Sequence, residues 1–395
     1  MQIANISETA RFFGRNLHFT PEMRAWLATL RIYAVGYGSI ARPACEALAE
    51  GGVRRFVLVD PKKYTERSVQ SQCDSEDVGR FKVEVGAERL AAHGAEVVAL
   101  PADVGTVPDG WVDPSTVVLV SADNRRADLL ANQLALRMRV PLVKANIEPR
   151  FDFVSVRTYN LRHHVEMCSE CQMSDAARSR QRHPRSCDGP EVRHTAAPRV
   201  LSRAAGLVAV LACMELGVPE TAQSWFGRQW QFMLEDRRPV SLELTPSAVC
   251  RCEHDSAWPN LEWLPQSPEE VTLGGLLRMA DASDVAELRL CQQLTLEVCC
   301  DRCHGTEQTV RWLQHVSAPV GPCQCGGRLM PVPFRTYREV PVERLHAIHD
   351  QPLAAWGILP HAVLQITSHE CRRSFVVGTG RTTSQRTDCR QGAFS

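Results

Sequence analysis

The sequence predicts an α/β protein: a Rossmann-like, mostly parallel sheet with helices on both faces, followed by a smaller C-terminal domain that resembles a zinc ribbon. Three observations support this. Short apolar strands alternate with helical patterns between residues 31 and 147. A glycine turn, Gly36-Tyr37-Gly38, separates the first strand from the first helix of this series. Further along the chain, cysteines occur in close pairs, which is typical of zinc sites.

The stretch 31–60 is typical of a nucleotide-binding unit, with a strand, the glycine turn, a helix and a second strand. Gly36 and Gly38 would let the backbone approach a phosphate chain beside the N-terminus of the helix. The second strand ends in Asp60, about twenty residues after the turn, where such a unit binds a ribose. Asp60 could also simply cap the loop. Dehydrogenases use the same turn, so a NAD-dependent oxidoreductase stays open as an alternative.

The elements that follow complete the predicted sheet. A long polar loop after Asp60 is expected to be functional or disordered. Because parallel strands end at one edge of a sheet, Gly36, Asp60 and Asp123 should meet in one crevice. Asp123 and Asn124 could cap the next helix, bind a metal, or do both. The predicted elements are helices within 1–30, at Lys82–His93, 125–140 and 204–217, and strands at Glu96–Leu100, 115–124, 141–147, from 151 and twice within 229–254.

Charge and hydropathy favour a soluble cytoplasmic protein. Lysine and arginine together number 45, as do aspartate and glutamate, so bulk charge gives no reason to expect nucleic acid or an anionic membrane as a partner. The longest apolar run, 204–217, is shorter than the roughly eighteen residues of a membrane helix. The N-terminus carries no signal-like hydrophobic run.

The chain has 16 cysteines, which in a reducing compartment favours zinc over disulfides. The first predicted site has the ligands Cys168, Cys171, Cys250 and Cys252. The last two are separated by a single residue, so His254 is an alternative ligand. The second predicted site has Cys300, Cys303, Cys323 and Cys325, with Cys299 as a spare. Cys45 and Cys213 lie in apolar helices and are expected to be inert packing residues.

Composition predicts the domain boundaries. We expect a nucleotide-binding domain at 1–256 with a structural zinc site and a crossover loop at about 172–203, a Trp/Pro-rich linker at 257–268, a zinc-ribbon-containing domain at 269–377 and a disordered tail at 378–395. The ribbon lacks a lysine-rich aromatic face, which favours docking of a protein over binding of nucleic acid.

Several ordered motifs between about residues 8 and 254 resemble the ubiquitin-activating superfamily, the adenylyltransferases that include ThiF and MoeB. They are RFFGRN at 11–16, GYGSIA at 36–41, VLVDPKKYTERSVQSQ at 57–72, SADNRRADLLANQ at 121–133, and CSEC with CRC. The resemblance implies an ATP site formed by Gly36, Gly38, Asp60, Arg67, Gln72, Lys82, Asp123 and Asn124. It assigns Arg15 to the phosphates, often across a dimer, Lys82 to a phosphate contact, Asp123 to Mg²⁺ and Cys187 to a thioester.

This sequence departs from the family pattern in the loop after Asp60. Ser71 occupies the place of the family's arginine finger, and Ser68 that of an asparagine. Arg67, four residues before Ser71, is a candidate substitute. Cationic groups on a transferring phosphate commonly contribute several kcal/mol, so a catalytically degenerate nucleotide-binding zinc scaffold is an alternative.

The resemblance implies ATP-dependent adenylation of the C-terminus of a ubiquitin-like or sulfur-carrier protein, as in bacterial ubiquitin-like conjugation systems. Thioester formation on Cys187 and transfer to a conjugating enzyme or sulfur donor would follow. Cys187 lies among Arg180, Arg182, Arg185 and Arg193, which would lower its pKa; alternatively it is a loop cysteine with accidental neighbours. The implied cofactors are ATP, Mg²⁺ and Zn²⁺, and a homodimer is expected.

Overall fold

A computed structural model gives the fold of the chain. It describes residues 20–148, 153–162, 167–173, 199–233, 238–258, 261–282, 286–313, 318–332, 335–369 and 372–379. The chain divides into two compact units, one formed by 1–104 with 112–257 and the other by 105–111 with 258–395. No helix in the described ranges is long and apolar enough to cross a membrane.

The first unit contains six helices and eight strands within the described residues. The helices are α1 (Pro21–Thr29), α2 (Ala41–Glu50), α3 (Lys82–Ala92), α4 (Arg125–Met138), α5 (Arg199–Glu215) and α6 (Pro219–Trp225). The strands are β1 (Arg31–Val35), β2 (Arg55–Val59), β3 (Glu96–Leu100), β4 (Thr116–Val120), β5 (Leu142–Glu148), β6 (Phe153–Tyr159), β7 (Arg228–Met233) and β8 (Arg238–Glu243).

These strands form one sheet in the order β3-β2-β1-β4-β5-β6-β7-β8. The first five in this order pair in parallel, and the last three are antiparallel. The predicted Rossmann-like, mostly parallel sheet is confirmed, as is the strand from about residue 151. The strand order reverses between β1 and β4, which is where sheets of this kind bind ligands at the carboxyl ends of their strands.

Alternation of side chains along the strands places helices on both faces of the sheet. Val143 and Ala145 of β5 join the core formed with α1, α2, α3 and α5. Lys144 lies between them in β5 and points to the opposite face, where its ammonium contacts Asp128 of α4. The helices therefore flank the sheet as the alternation of strands and helices predicts.

The second unit is built mainly on an antiparallel sheet. It contains the helix α7 (Leu273–Met279) and the strands β9 (Leu261–Trp263), β10 (Glu287–Cys300), β11 (Thr306–Leu313), β12 (Gly321–Pro322), β13 (Arg328–Pro331), β14 (Thr336–Pro341), β15 (Val363–Thr367) and β16 (Arg372–Val376). The long strand β10 pairs with β11, β13, β14 and β15. Its buried residues include Leu288, Leu294 and Val298, so this strand carries much of the core.

The structure differs from the predicted linker at 257–268. Leu261–Trp263 is a strand that pairs in parallel with β16, and Trp258 is buried, with its indole N–H donating to Asp109 Oδ2 at 3.0 Å. The Trp/Pro-rich composition reflects buried packing and not a flexible connection. Residues 105–111 also belong to this unit, although they fall inside the predicted range 1–256. From residue 380 onwards, the predicted tail lies outside the described residues.

Candidate nucleotide and metal sites

The first glycine of the turn is required by its surroundings. Gly36 has a φ of +82°, and a Cβ there would lie 2.8 Å from the Cα of Ala122. The Gly36 N–H donates to the Val59 carbonyl at 2.9 Å, and its own carbonyl accepts from Ser121 Oγ at 2.8 Å. The turn is thus held between the loops that follow β2 and β4, at the point where the strand order reverses.

Asp60 connects its own loop to the glycine turn. The side chain is buried, with Oδ2 accepting from the Tyr37 N–H at 2.9 Å and Oδ1 from the Lys62 N–H at 2.8 Å. Asp60 therefore caps the loop after β2, which is one of the two roles that the sequence allows. It does so directly beside Gly36, where the predicted ribose contact would be, so the two roles are compatible.

Lys82 and Gln72 meet beside the second glycine. Lys82 is the first residue of α3 and is 8% exposed, and its Nζ donates to Gln72 Oε1 at 2.8 Å. That oxygen lies 3.8 Å from where a Cβ on Gly38 would stand. Because the amide is neutral, this hydrogen bond leaves the charge of the ammonium in place beside the turn. Sequence reasoning missed Arg42, which donates to the Gln72 carbonyl from the first turn of α2.

The loop that departs from the family pattern has a structural role. Ser68 is buried, its Oγ accepts from the Thr65 N–H at 3.0 Å, and its carbonyl accepts from the N–H groups of Ser71 and Gln72 at 3.1 and 2.7 Å. Ser68 therefore shapes the 3₁₀ turn Glu66–Gln70. Arg67 is exposed on this turn. Its contact with phosphate stays a prediction.

Asp123 and Asn124 follow β4 and have different partners. The Asn124 carbonyl oxygen accepts from the Ala127 N–H at 2.8 Å and caps α4, as the sequence allows. Asp123 Oδ2 lies 2.9 Å from Lys62 Nζ in an ion pair. Sequence reasoning missed Lys62. Its position two residues after Asp60, at the carboxyl edge that also carries Asp123, was the available signal.

One face of α4 carries polar residues at intervals of four, which places them along a single line of the helix. Asp128 and Lys144 are both buried, and Lys144 Nζ donates to Asp128 Oδ2 at 2.5 Å. Burial raises the pKa of Asp128, and the neighbouring ammonium opposes that shift. One turn further, Asn132 is fully buried. Its amide oxygen accepts from the Ser169 N–H at 3.0 Å, and its Nδ2 donates to Cys252 Sγ at 3.5 Å.

The first cysteine cluster lies at that end of α4. Cys168 Sγ is 3.8 Å from Cys250 Sγ, and Cys171 Sγ is 3.6 Å from His254 Nε2. Tetrahedral zinc with Zn–S bonds of about 2.3 Å separates its ligand atoms by about 3.8 Å, so this set fits zinc. The four ligand atoms that lie within 4.8 Å of one another include His254 and not Cys252. Cys252 remains close, since it interacts with Cys168.

The second cysteine cluster joins two turns of the C-terminal sheet. Cys300 Sγ is 3.4 Å from Cys325 Sγ, and Cys303 Sγ is 3.9 Å from Cys323 Sγ. All four sulfur atoms lie within 4.8 Å of one another, so the predicted set also fits tetrahedral zinc. The N–H groups of Arg302 and Cys303 point at Cys300 Sγ at 3.3 and 3.4 Å, which stabilises a thiolate.

Two predicted catalytic residues, Arg15 and Cys187, lie outside the described residues. The cysteines expected to be inert are fully buried in the first unit. Burial raises the pKa of the Cys213 thiol to about 12 and that of Cys45 further. Neither thiol is available as a thiolate near neutral pH, in agreement with a packing role.

Comparison with known proteins gives one family and several distant structures. The ThiF family model matches residues 13–238. The crystal structure of E. coli MccB with succinimide is 17% identical with a TM-score of 0.48, over 58% of this chain and 68% of that chain. The crystal structure of PaaA is 17% identical with a TM-score of 0.47, over 62% of this chain and 85% of that chain. No curated protein sequence matches the chain.

Proposed function

This chain belongs to the ThiF family, and on that premise we propose that it is an adenylyltransferase that activates the C-terminal carboxylate of a small carrier protein with ATP. The observation that carries the proposal is the arrangement around the glycine turn. Asp60 accepts from the Tyr37 N–H on one side, and the Lys82 ammonium lies with Gln72 beside Gly38 on the other. The carboxylate proposed to bind the ribose and the ammonium proposed to bind a phosphate thus flank one turn, at the point where the strand order reverses.

The reaction joins two anions, so the site must supply positive charge. A carboxylate oxygen of the carrier attacks the α-phosphorus of ATP, and a new O–P bond forms. The bond from that phosphorus to the bridging oxygen breaks, and its electron pair leaves with pyrophosphate. Lys82 and the N-terminus of α2, which follows the turn, are suited to oppose the negative charge that gathers on the phosphates. The attacking group is already ionised, so this step requires no general base.

We propose a ubiquitin-like or sulfur-carrier protein as the substrate and Cys187 as the acceptor of its acyl group. The Cys187 thiolate would attack the acyl carbon, the bond from that carbon to the AMP oxygen would break, and AMP would leave. The arginines that surround Cys187 in the sequence favour the thiolate. Arg15 is proposed as a further phosphate contact, and a homodimer would allow it to act across the subunit interface. Zinc at the two cysteine clusters would supply structural cross-links.

Carrier-dependent exchange of labelled pyrophosphate into ATP tests the adenylation. We expect exchange only with a ubiquitin-like protein that ends in glycine, and none when its last residue is removed. Lys82→Ala should lower the rate at least tenfold, which corresponds to about 1.4 kcal/mol. Lys63→Ala is the matched control, because it removes a lysine whose side chain is exposed. The Lys63 ammonium lies over an aromatic ring, 4.7 Å from the Phe81 centroid. Equal rates for both variants would contradict the role of Lys82.

The thioester requires a separate experiment. Incubation with ATP, Mg²⁺ and the carrier should give an adduct that thiols cleave and that Cys187→Ala lacks. A cleavable adduct that persists in Cys187→Ala would exclude this acceptor.

A second candidate function is a nucleotide-binding scaffold without adenylation. Two observations favour it: Ser71 supplies no cation, and the Asp123 carboxylate meets Lys62. Pyrophosphate exchange, measured together with binding of ATP, distinguishes the scaffold from the adenylyltransferase. Tight ATP binding without pyrophosphate exchange, for every carrier with a free C-terminal glycine, would support the scaffold.

A further inference from the structure

The Lys62 ammonium forms an ion pair with Asp123, the carboxylate to which the family resemblance assigns Mg²⁺. Its Nζ lies 2.9 Å from Asp123 Oδ2, and the two side chains are 30% and 36% exposed. The backbone of Lys62 is fixed as well, because its N–H donates to Asp60 Oδ1 at 2.8 Å. Since Asp60 Oδ2 accepts from Tyr37, Lys62 is linked through one carboxylate to the glycine turn.

We propose that Lys62 binds the phosphates of ATP and that Asp123 positions its ammonium, in place of a metal ion held by this carboxylate. The proposal rests on the nucleotide site described above and adds a binding residue to it.

The side chains around the end of β4 do not fit a magnesium ion held by the protein. Mg²⁺ requires a near-octahedral set of oxygen ligands, and a carboxylate normally supplies one of them. Asp123 is already neutralised by an ammonium. The Asn124 oxygen caps α4, and Asp128 Oδ2 accepts from Lys144. A metal ion at Asp123 would have to share this carboxylate with the Lys62 ammonium, which would repel it.

Lys62 adds a cation to the loop in which Ser71 stands in place of an arginine. It follows β2 at the carboxyl edge of the sheet, in the loop that contains Asp60, and its side chain reaches Asp123 in the loop after β4. An ion pair with about a third of each side chain exposed is weak, because water screens it. An ammonium has three N–H donors and can hydrogen-bond to a carboxylate and to phosphate oxygens at the same time. Lys62, from the loop after β2, and Lys82, from the start of α3, would then both provide cations.

Binding of ATP measured by calorimetry, in EDTA and across a series of Mg²⁺ concentrations, tests this assignment. Lys62→Ala should raise the Kd for ATP in EDTA at least tenfold, and Lys62→Arg should restore part of the loss. Because Lys62→Ala removes the ammonium from beside Asp123, the Mg²⁺ concentration that gives half-maximal binding of ATP should fall in this variant. Lys63→Ala, which removes the neighbouring exposed lysine, should change neither value.

Two results would overturn the proposal. One is a wild-type Kd for Lys62→Ala at every Mg²⁺ concentration. The other is complete loss of the Mg²⁺-dependent part of binding in Asp123→Asn, because that part would then belong to a metal on this carboxylate. Calorimetry needs no carrier, so nucleotide binding without pyrophosphate exchange would reject adenylation and leave the role of Lys62 standing. A wild-type protein that binds no ATP would reject both.

Discussion

The two cysteine clusters offer the same kind of ligands but differ in how the fold supports them. In the first, Cys168 and Cys171 are buried, and Asn132 of α4 contacts both the cysteine turn and Cys252. In the second, Cys303 and Cys325 are exposed, and Cys300 Sγ accepts from two backbone N–H groups of its own turn. The first cluster therefore supports one end of α4 against the large sheet. The second joins the end of β10 to the turn between β12 and β13, two short strands that bury little apolar surface themselves.

Removing one ligand from each cluster tests this difference and should have the largest effect. We expect Cys168→Ser and Cys300→Ser each to lower the zinc content from two ions per chain to one. Cys168→Ser should destabilise the whole first unit by more than about 4 kcal/mol, because it removes a metal and leaves buried polar ligands behind. Cys300→Ser should unfold mainly 300–331, since β15, β16 and the first half of β10 have their own buried core.

Zinc content by mass spectrometry and amide hydrogen exchange measure these outcomes. Cys299→Ala is the control for the second cluster, because Cys299 neighbours Cys300 but is absent from the set of four ligands. Exchange that rises throughout the second unit in Cys300→Ser would show that its sheet depends on the metal.

The buried pair Asp128–Lys144 tests whether charge as well as metal supports α4. Asp128→Ala should cost about 3–5 kcal/mol of unfolding free energy, because it leaves a buried ammonium without its carboxylate. The double variant Asp128→Leu with Lys144→Met should cost less than Asp128→Ala. Chemical denaturation of both variants gives the comparison, and an equal loss in the two would contradict the electrostatic explanation.

The pH dependence of the same pair has a defined sign. Burial raises the pKa of Asp128, so the folded protein retains the proton to a higher pH than the unfolded chain does. The contribution of this group to stability is therefore present below the ordinary Asp pKa of about 3.9 and is lost as pH rises through the raised value. The stability of wild type relative to Asp128→Asn should fall over that interval. A rise over the same interval would contradict the shift.

Gly327 tests the packing of the second cluster. A Cβ at this position would lie 2.6 Å from Cys300 Sγ, so Gly327→Ala must displace a ligand. We expect a loss of about 1–3 kcal/mol and weaker zinc binding at this cluster only. Gly321→Ala is the matched control, because a Cβ there meets nothing within 4 Å. Zinc competition with a chromogenic chelator measures both variants, and equal zinc affinities would contradict the steric argument.

The strands, helices and site loops of the first unit could be predicted from the sequence, because each of them has a signal within a short stretch of chain. The glycine turn, the alternation of strands and helices, and the polar residues after β2 and β4 all lie within short stretches of chain. Which side chains meet across loops could not be predicted in this way. The contact of Lys62 with Asp123 depends on the register of β2 and β4 and on the loop conformations, so a residue assigned to a metal was found beside a lysine.

The second unit was less predictable for a related reason. Trp258 and the residues around it have a composition that is common in linkers, yet the Trp258 indole is buried against Asp109, far away in sequence.

In the first cluster, the one-residue spacing of Cys250 and Cys252 left the fourth ligand open. The structure brings His254 within the group and leaves Cys252 beside Asn132. Both outcomes depend on long-range packing that periodicity does not record.

A substitution at Asn132, with an expected effect as small as that of Gly327→Ala, separates the two clusters most clearly. Asn132→Ala removes the hydrogen bond to Cys252 Sγ and leaves the Ser169 N–H buried without its acceptor, at a cost of about 1–3 kcal/mol. Groups that orient metal ligands typically change metal affinity by 10–100-fold, so zinc should bind more weakly at the first cluster. In the cobalt-loaded protein, the thiolate absorption of the first cluster should change while that of the second does not. Gln133→Ala, one residue along the same helix, should leave both clusters unaffected. Equal weakening of the two clusters in Asn132→Ala would mean that Asn132 acts through general stability and not through the cysteine turn that it contacts.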